Sequence, residues 1–570
     1  MPSAFFLLIA IMLSLSSIPQ NAHAQSFTRI NAATLRAMVD DGKELAILDP
    51  REEGVFGHAH VLLAANVPLS RLELRIESLA PRKTTRIVLV DGGEGMAERT
   101  AVVLHQLGYT AISILDGGYP AWKAAGHEIF DGMNVPGKAF GEWVAVTYGT
   151  PTITPQELHK RIVAGEEVLL LDARPANEYN NMSIPGAINV PGSELVYRFP
   201  ELAVKPGTLV VVNCAGRTRS LIGAQTLINA GVKNKVVALR GGTMAWQMAG
   251  FDLEYGSTRH APEPWGKDSQ QALQIAQTVA NRFGVKTIDA ATLQRYKAEA
   301  AQRTLYLIDV RTPEEYRAGH RPDSMFAWGV QVVQGIDKYA ATRNARVVLV
   351  DNYLVRALMT ASWMVQQGWP DTFVLADPFA GVALETGEHP VVVPGASEVK
   401  LPRVDPAALS RLLAQGRQTI VFDAADSLAY KKGHIPGAYF VIRSRIAEAL
   451  KNIPSADNFV VTGDDPDLVA LTARDLAKIS GGKTVSILAG GNAAWRKATL
   501  PVTAGFEHLA SPPDDIFRQP FLWGHYEPMS PEFKQAALDY FKWELQLPEQ
   551  LERAGETNFY RPAEKAEPAK

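Results

Sequence analysis

The chain has 570 residues, a net charge of -3 and 46% hydrophobic content, the usage of a globular protein several domains long. Lys and Arg (57) nearly balance Asp and Glu (60), so there is no basic field for nucleic acid. One cysteine, Cys214, excludes an intramolecular disulfide, an Fe–S cluster and a multi-cysteine zinc site.

The chain opens on an apolar run from Ala4 to Ile18, followed by Ala22-His23-Ala24. Small residues at −3 and −1 before Gln25 predict a signal peptide over 1–24, and hence a periplasmic or secreted mature protein. No Lys or Arg precedes the run, which departs from the usual pattern; the alternative is an uncleaved anchor. The run is shorter than the roughly 20 residues a spanning helix needs, and no stable membrane insertion is expected.

A single pattern then recurs four times. Ala46–Gly54 (AILDPREEG), Leu169–Tyr179 (LLLDARPANEY), Leu305–Tyr316 (LYLIDVRTPEEY) and Ile420–Tyr430 (IVFDAADSLAY) each carry an apolar run ending in an aspartate: Asp49, Asp172, Asp309 and Asp423. A turn follows, clearest in IPGAINVP and HIPGAYFV. A second apolar run ends at Asp91, Cys214, Asp351 or Gly463, at 42, 42, 42 and 40 residues from the first aspartate. A helical pattern comes next, then LDGGYPAW, LRGGTMAW or LAGGNAAW; the third copy has LADPFAG. Val/Ile/Leu strands alternating with helices predict an α/β protein of four tandem, small, doubly wound parallel-sheet domains. They are placed at 27–140, 145–256, 284–394 and 399–505, with a linker helix in 257–283 and an extension over 506–570. In the extension, Phe533, Ala537, Phe541 and Leu545 share a helical face and predict a docking helix. The Lys/Glu/Pro/Ala tail after Tyr560 is expected to be disordered.

The loop Cys214-Ala215-Gly216-Arg217-Thr218-Arg219 leads into Ser220 between a strand and a helix. Such a loop turns backbone N–H groups and the positive helix end toward one point. With Arg217 and Arg219 nearby, it should lower the Cys214 pKa and hold a small anion beside the thiolate. His58, His60, His320 and His434 sit near one turn without metal-ligand spacing and read as turn residues; no metal or cofactor is expected. Asp91 and Asp351 read as caps for helix amides.

The ordered set D-x-R, I-P-G-A, strand–Cys–loop–helix and L-x-G-G-x-x-x-W resembles the rhodanese family of sulfurtransferases, four times over. The resemblance implies that Cys214 takes a sulfane sulfur from a small anionic donor such as thiosulfate. The resulting persulfide would pass its sulfur to cyanide, a thiol or a protein acceptor. It also implies that Ala215, Gly216, Arg217, Thr218, Arg219 and Ser220 bind the substrate, and that Asp172 and Arg174 are structural support. Copies one, three and four would be inactive for want of a cysteine. Two other readings remain: a non-catalytic scaffold or persulfide carrier, and a cysteine phosphatase or arsenate reductase. The phosphatase requires Arg six positions after the cysteine, where this chain has Ser220.

Overall fold

Strands made almost wholly of Val, Leu and Ile have no polar face to give to water, so they are stable only when covered on both sides. In copy two the five strands are Thr152–Ile153, Val168–Asp172, Ile188–Asn189, Leu209–Asn213 and Val236–Leu239. They pair in parallel in the spatial order 1-5-4-2-3, with helices on both faces. Every residue of Leu209–Asn213 is buried. Each such Val or Leu contributes roughly 1.5–3 kcal/mol by leaving water. The same strand order recurs in the other three copies, so the molecule is an α/β protein built on four five-stranded parallel sheets. The computed structural model describes residues 26–562 apart from 265, 390, 416 and 417. The expected signal peptide lies outside the described residues, as does the tail from 563 onward.

The copies are not beads on a string. Thr342–Arg343, from copy three, adds antiparallel to the edge of copy one's sheet at Leu45–Ala46. Tyr306 donates to the Leu79 carbonyl (2.5 Å), again joining copies three and one. Copies two and three meet where the Trp363 indole donates to Thr226 Oγ1 (2.9 Å) and Tyr197 stacks on Tyr353. Copy four docks on copy one through a buried bidentate pair, Arg443 with Glu73, both bonds 2.7 Å. Copy three therefore touches both of its predecessors.

Two connections differ from what periodicity suggested. One continuous helix, Val135–Tyr148, crosses the gap expected between copies one and two. The Lys267–Arg282 helix joins the core of copy three through Ala272, Ala276, Val279 and Ala280. Among the described residues, no helix is long and apolar enough to cross a membrane.

Candidate active site at Cys214

The central strand Leu209–Asn213 delivers Cys214 at its carboxyl end, where a doubly wound sheet opens its crevice. Beneath it, Asp172 accepts from Arg174 Nε (2.9 Å) and Nη2 (2.7 Å) and from Asn213 Nδ2 (3.1 Å). Arg174 also donates to the Met182 carbonyl, tying the end of the Val168–Asp172 strand to the following turn. The same brace, Arg51 on Asp49 and Arg311 on Asp309, recurs in copies one and three. Asp172 and Arg174 thus brace the strand end beneath Cys214. In copy four, Ala425 replaces the arginine, and Asn492 donates to both oxygens of Asp423 instead.

The L-x-G-G motif has a physical reason that its sequence alone did not disclose. Gly242 (φ +58°) lies so close to the loop that a Cβ would stand 2.2 Å from the Cys214 carbonyl oxygen. The next two amides, Thr243 and Met244, donate to the carbonyls of Cys214 (2.8 Å) and Ala215 (3.1 Å). Gly118 and Gly491 make the matching approach to Asp91 and Gly463. Only glycine combines this conformation with this proximity.

Cys214 Sγ faces the backbone N–H groups of Gly216 and Ser220 and the Ser220 hydroxyl, with the Arg219 guanidinium nearby. The helix Thr218–Asn229 begins immediately beyond, and no side chain caps it, so its first amides are directed into the loop. The expected depression of the thiol pKa is not what the folded site produces. Cys214 is only 1% exposed, and burial pushes its thiol above the ordinary value, against the pull of Arg219, Ser220 and Gly216. Both arginines are also engaged. Arg219 forms a bidentate pair with Glu178 (2.7 and 2.8 Å), and Arg217 another with Glu142 (2.7 Å each). Arg219 stays beside the thiol; Arg217 is turned to the Val135–Tyr148 helix. Thr218 Oγ1 donates to Glu544 (3.1 Å), and Ser220 Oγ to the Arg217 carbonyl (2.7 Å).

What closes the site is the C-terminal helix, Pro531–Ala554. Its Phe533 and Ala537 are buried against Ala215 and Met244, and the Tyr540 ring lies over Gly216, 3.2 Å from where a Cβ would be. Tyr540 donates to Glu544 (3.0 Å). Docking of this helix was expected, but Leu545 is not on its buried face: it is 58% exposed. A strict every-fourth row drifts around a helix of 3.6 residues per turn, so the covered stripe runs instead through Glu544, Leu547 and Leu551. Sequence reasoning also missed Lys138, whose ammonium is buried over the rings of Phe521, Tyr540 and Trp543 at 4.9, 5.0 and 4.9 Å. Burial lowers the Lys138 pKa and raises that of Glu544. No local pattern marks either residue, because burial of a Lys or Glu is decided by segments far away in sequence.

The other three loops carry no cysteine. Asp91 accepts from the amides of Gly93 (2.9 Å) and Ala97 (3.0 Å), the expected capping role. Asp351 accepts from the amides of Arg356 (2.8 Å) and Ala357 (3.3 Å), and also from the Arg356 side chain. At Gly463 there is no side chain, and Asp465 caps the helix instead, accepting from Asp467 and Leu468.

A family model for the rhodanese-like domain matches residues 31–125, 154–249, 290–384 and 405–498, two thirds of the chain. The chain belongs to the rhodanese family. The crystal structure of a thiosulfate sulfurtransferase from Pseudomonas aeruginosa superposes with a TM-score of 0.88 at 43% identity, covering 94% of this chain and 99% of that one. An HTH-type transcriptional regulator of Mycobacterium tuberculosis is 36% identical over 111 residues. That match takes in 19% of this chain and spans about half (48%) of the regulator's length. A protein of Anabaena sp. is 28% identical with a TM-score of 0.17, over 18% of this chain and 80% of its own.

Proposed function

We propose that this rhodanese-family chain is a thiosulfate sulfurtransferase working through one site, Cys214. The observation that carries the reading is the anion cradle around its sulfur: the amides of Gly216 and Ser220, an uncapped helix end, and Arg219 alongside. It is supported by the 43% identity to a thiosulfate sulfurtransferase across almost the whole chain. The Cys214 thiol first gives its proton to solvent, and the thiolate then attacks the outer sulfur of thiosulfate; the S–S bond to the sulfonate breaks, and sulfite leaves with the bonding pair. The Cys214 persulfide then gives its terminal sulfur to cyanide, releasing thiocyanate and restoring the thiolate, or to a thiol. Amides and Arg219 stabilise the negative charge carried on the outer sulfur between the two half-reactions. Neither half-reaction calls for a metal or an organic cofactor.

The donor's approach is assigned to the cavity of about 260 Å³ next to Arg219, bordered by Lys338, Gln331 and Gln334 of copy three and Gln519 of the extension. Copy three then has a use without chemistry of its own: it supplies one wall and a cation to an anion's path. Export to the periplasm, with cleavage after Ala24, belongs to this proposal on the strength of the N-terminal sequence.

Intact mass after thiosulfate tests the reading. The mature chain should begin at Gln25 and gain one sulfur, about 32 Da, lost on adding cyanide and absent from Cys214→Ser. No gain in the wild-type chain would overturn the thiosulfate assignment. The closed roof over Cys214 favours one further reading, a persulfide carrier, in which loading is stable and turnover with cyanide is slow. Single-turnover release of thiocyanate separates the two.

A further inference from the structure

In copies three and four, a histidine at the turn after the short helices Pro313–Ala318 and Ser427–Lys432 stacks on a tyrosine: His320 on Tyr316 and His434 on Tyr430. Each contacts the carbonyl of that tyrosine through Nδ1, at 2.9 and 2.8 Å. A ring nitrogen bonded to a carbonyl must carry the hydrogen, so in the neutral ring Nε2 is left with a lone pair. This is the arrangement in which a histidine is preset to bind a metal, its other nitrogen fixed by a backbone acceptor. In both copies Nε2 is buried and without a hydrogen-bond partner.

What faces that lone pair differs. In copy four the residue bridged to His434 is Thr503. In copy three the residue bridged to His320 is Glu385, and its carboxylate oxygen lies 4.0 Å from Nε2, too far for a hydrogen bond. His389 comes four residues later, and one ligand atom from each of His320, Glu385 and His389 lies within 4.8 Å of the others. Two lone-pair donors and a carboxylate converge with no hydrogen bond among them.

The segment that carries Glu385 and His389 is held in place. His320 and Glu385 exchange both backbone hydrogen bonds (2.9 Å each), and the Gly387 amide donates to the Arg317 carbonyl (2.8 Å). Arg317 also pairs with Glu388 at 2.5 Å, so the acid between the two ligands is neutralised and turned away. A tetrahedral zinc with bonds of about 2.0–2.1 Å holds its ligand atoms about 3.3 Å apart. His320 is fixed, whereas Glu385 and His389 are exposed and free to close the remaining distance by rotation.

We propose that His320 Nε2, Glu385 and His389 form a zinc-binding site in copy three, with solvent at the fourth position. A nitrogen–nitrogen–carboxylate set suits zinc above calcium or magnesium, which favour all-oxygen shells. The site staples the turn of residues 317–320 to the chain leaving copy three, and it is separate from the sulfur chemistry at Cys214.

Equilibrium dialysis of the untagged full-length chain against zinc ion, after chelator treatment, is the test. The expected result is one zinc per chain. His389→Ala and Glu385→Gln should each weaken binding at least about tenfold, while thiosulfate turnover is unchanged, which also reports that the variants fold. Cys214→Ser should retain zinc. The proposal is overturned if the wild-type chain retains no zinc, if His389→Ala binds as well as wild type, or if Cys214→Ser alone abolishes binding.

Discussion

Copies two and three carry the same cradle and use it in opposite ways. Arg219 and Arg356 each stand five residues after the residue that leaves the central strand, Cys214 or Asp351. Each is clamped by a glutamate on the short helix that follows the aspartate-ended strand, Glu178 of Ala176–Asn181 or Glu315 of Pro313–Ala318. In copy three the cradle holds its own anion: Asp351 takes the helix amides and the arginine together. Its loop also bends through Leu354 in the left-handed region (φ 64°), where copy two has Arg217 at negative φ (−124°). In copy two, Cys214 gives the amides a soft, neutral thiol and leaves the site ready for an incoming anion. An anion cradle is therefore a stable framework first and an active site only where its resident charge has been removed.

Substitution at the two equivalent positions should separate these roles most sharply. Cys214→Ser should abolish sulfur transfer, read as thiocyanate formation, with little change in the unfolding midpoint. Asp351→Ala should leave transfer intact but cost about 3 kcal/mol in denaturant unfolding, because Arg356 keeps a buried charge with only part of its compensation. If Asp351→Ala instead impaired turnover at unchanged stability, the comparison would fail.

A smaller effect is expected at the arginines. Arg219→Lys keeps the charge but loses the planar fork, and kcat/KM for thiosulfate should fall about 100-fold. Arg356→Lys should leave that value near wild type.

The smallest effect concerns the roof. Burial holds the Cys214 thiol above the ordinary cysteine value of about 8.5. The rate of alkylation by iodoacetamide should therefore rise with pH to a midpoint above that value. Tyr540→Ala opens the space over Gly216, so the midpoint should move down and the rate at neutral pH should increase a few-fold. The sign for stability follows: the unfolded thiol ionises first, so the contribution of Cys214 is complete below about 8.5 and is lost as pH rises toward the folded value. An unchanged midpoint in Tyr540→Ala would mean that the helix roof does not govern the thiol.

Much of this was legible without coordinates, because strand, loop and helix in each copy are local. The runs ending at Asp49, Asp172, Asp309 and Asp423 are strands buried on both faces, and the one cysteine marks the one loop with a nucleophile. The arginines were legible as residues but not as partners, since Glu142 lies 75 positions before Arg217. The direction of the Cys214 pKa was misjudged for the same reason. A loop seen alone has helix amides and cations, but the helix that closes over it brings Phe533 and Ala537 against Ala215 and Tyr540 over Gly216, and no window around Cys214 contains them.

Hydrophobic periodicity and a repeated motif sufficed for four parallel sheets and the place of the nucleophile, since both depend on residues a few positions apart. Assembly decided the rest. It added Thr342–Arg343 to a neighbour's sheet, brought Glu544 to Thr218 across 326 residues, and set Glu385 and His389 against the lone pair of His320. Burial, charge pairing and metal-ligand geometry depend on distance in space, which chain order constrains only over the span of a strand or a helical turn.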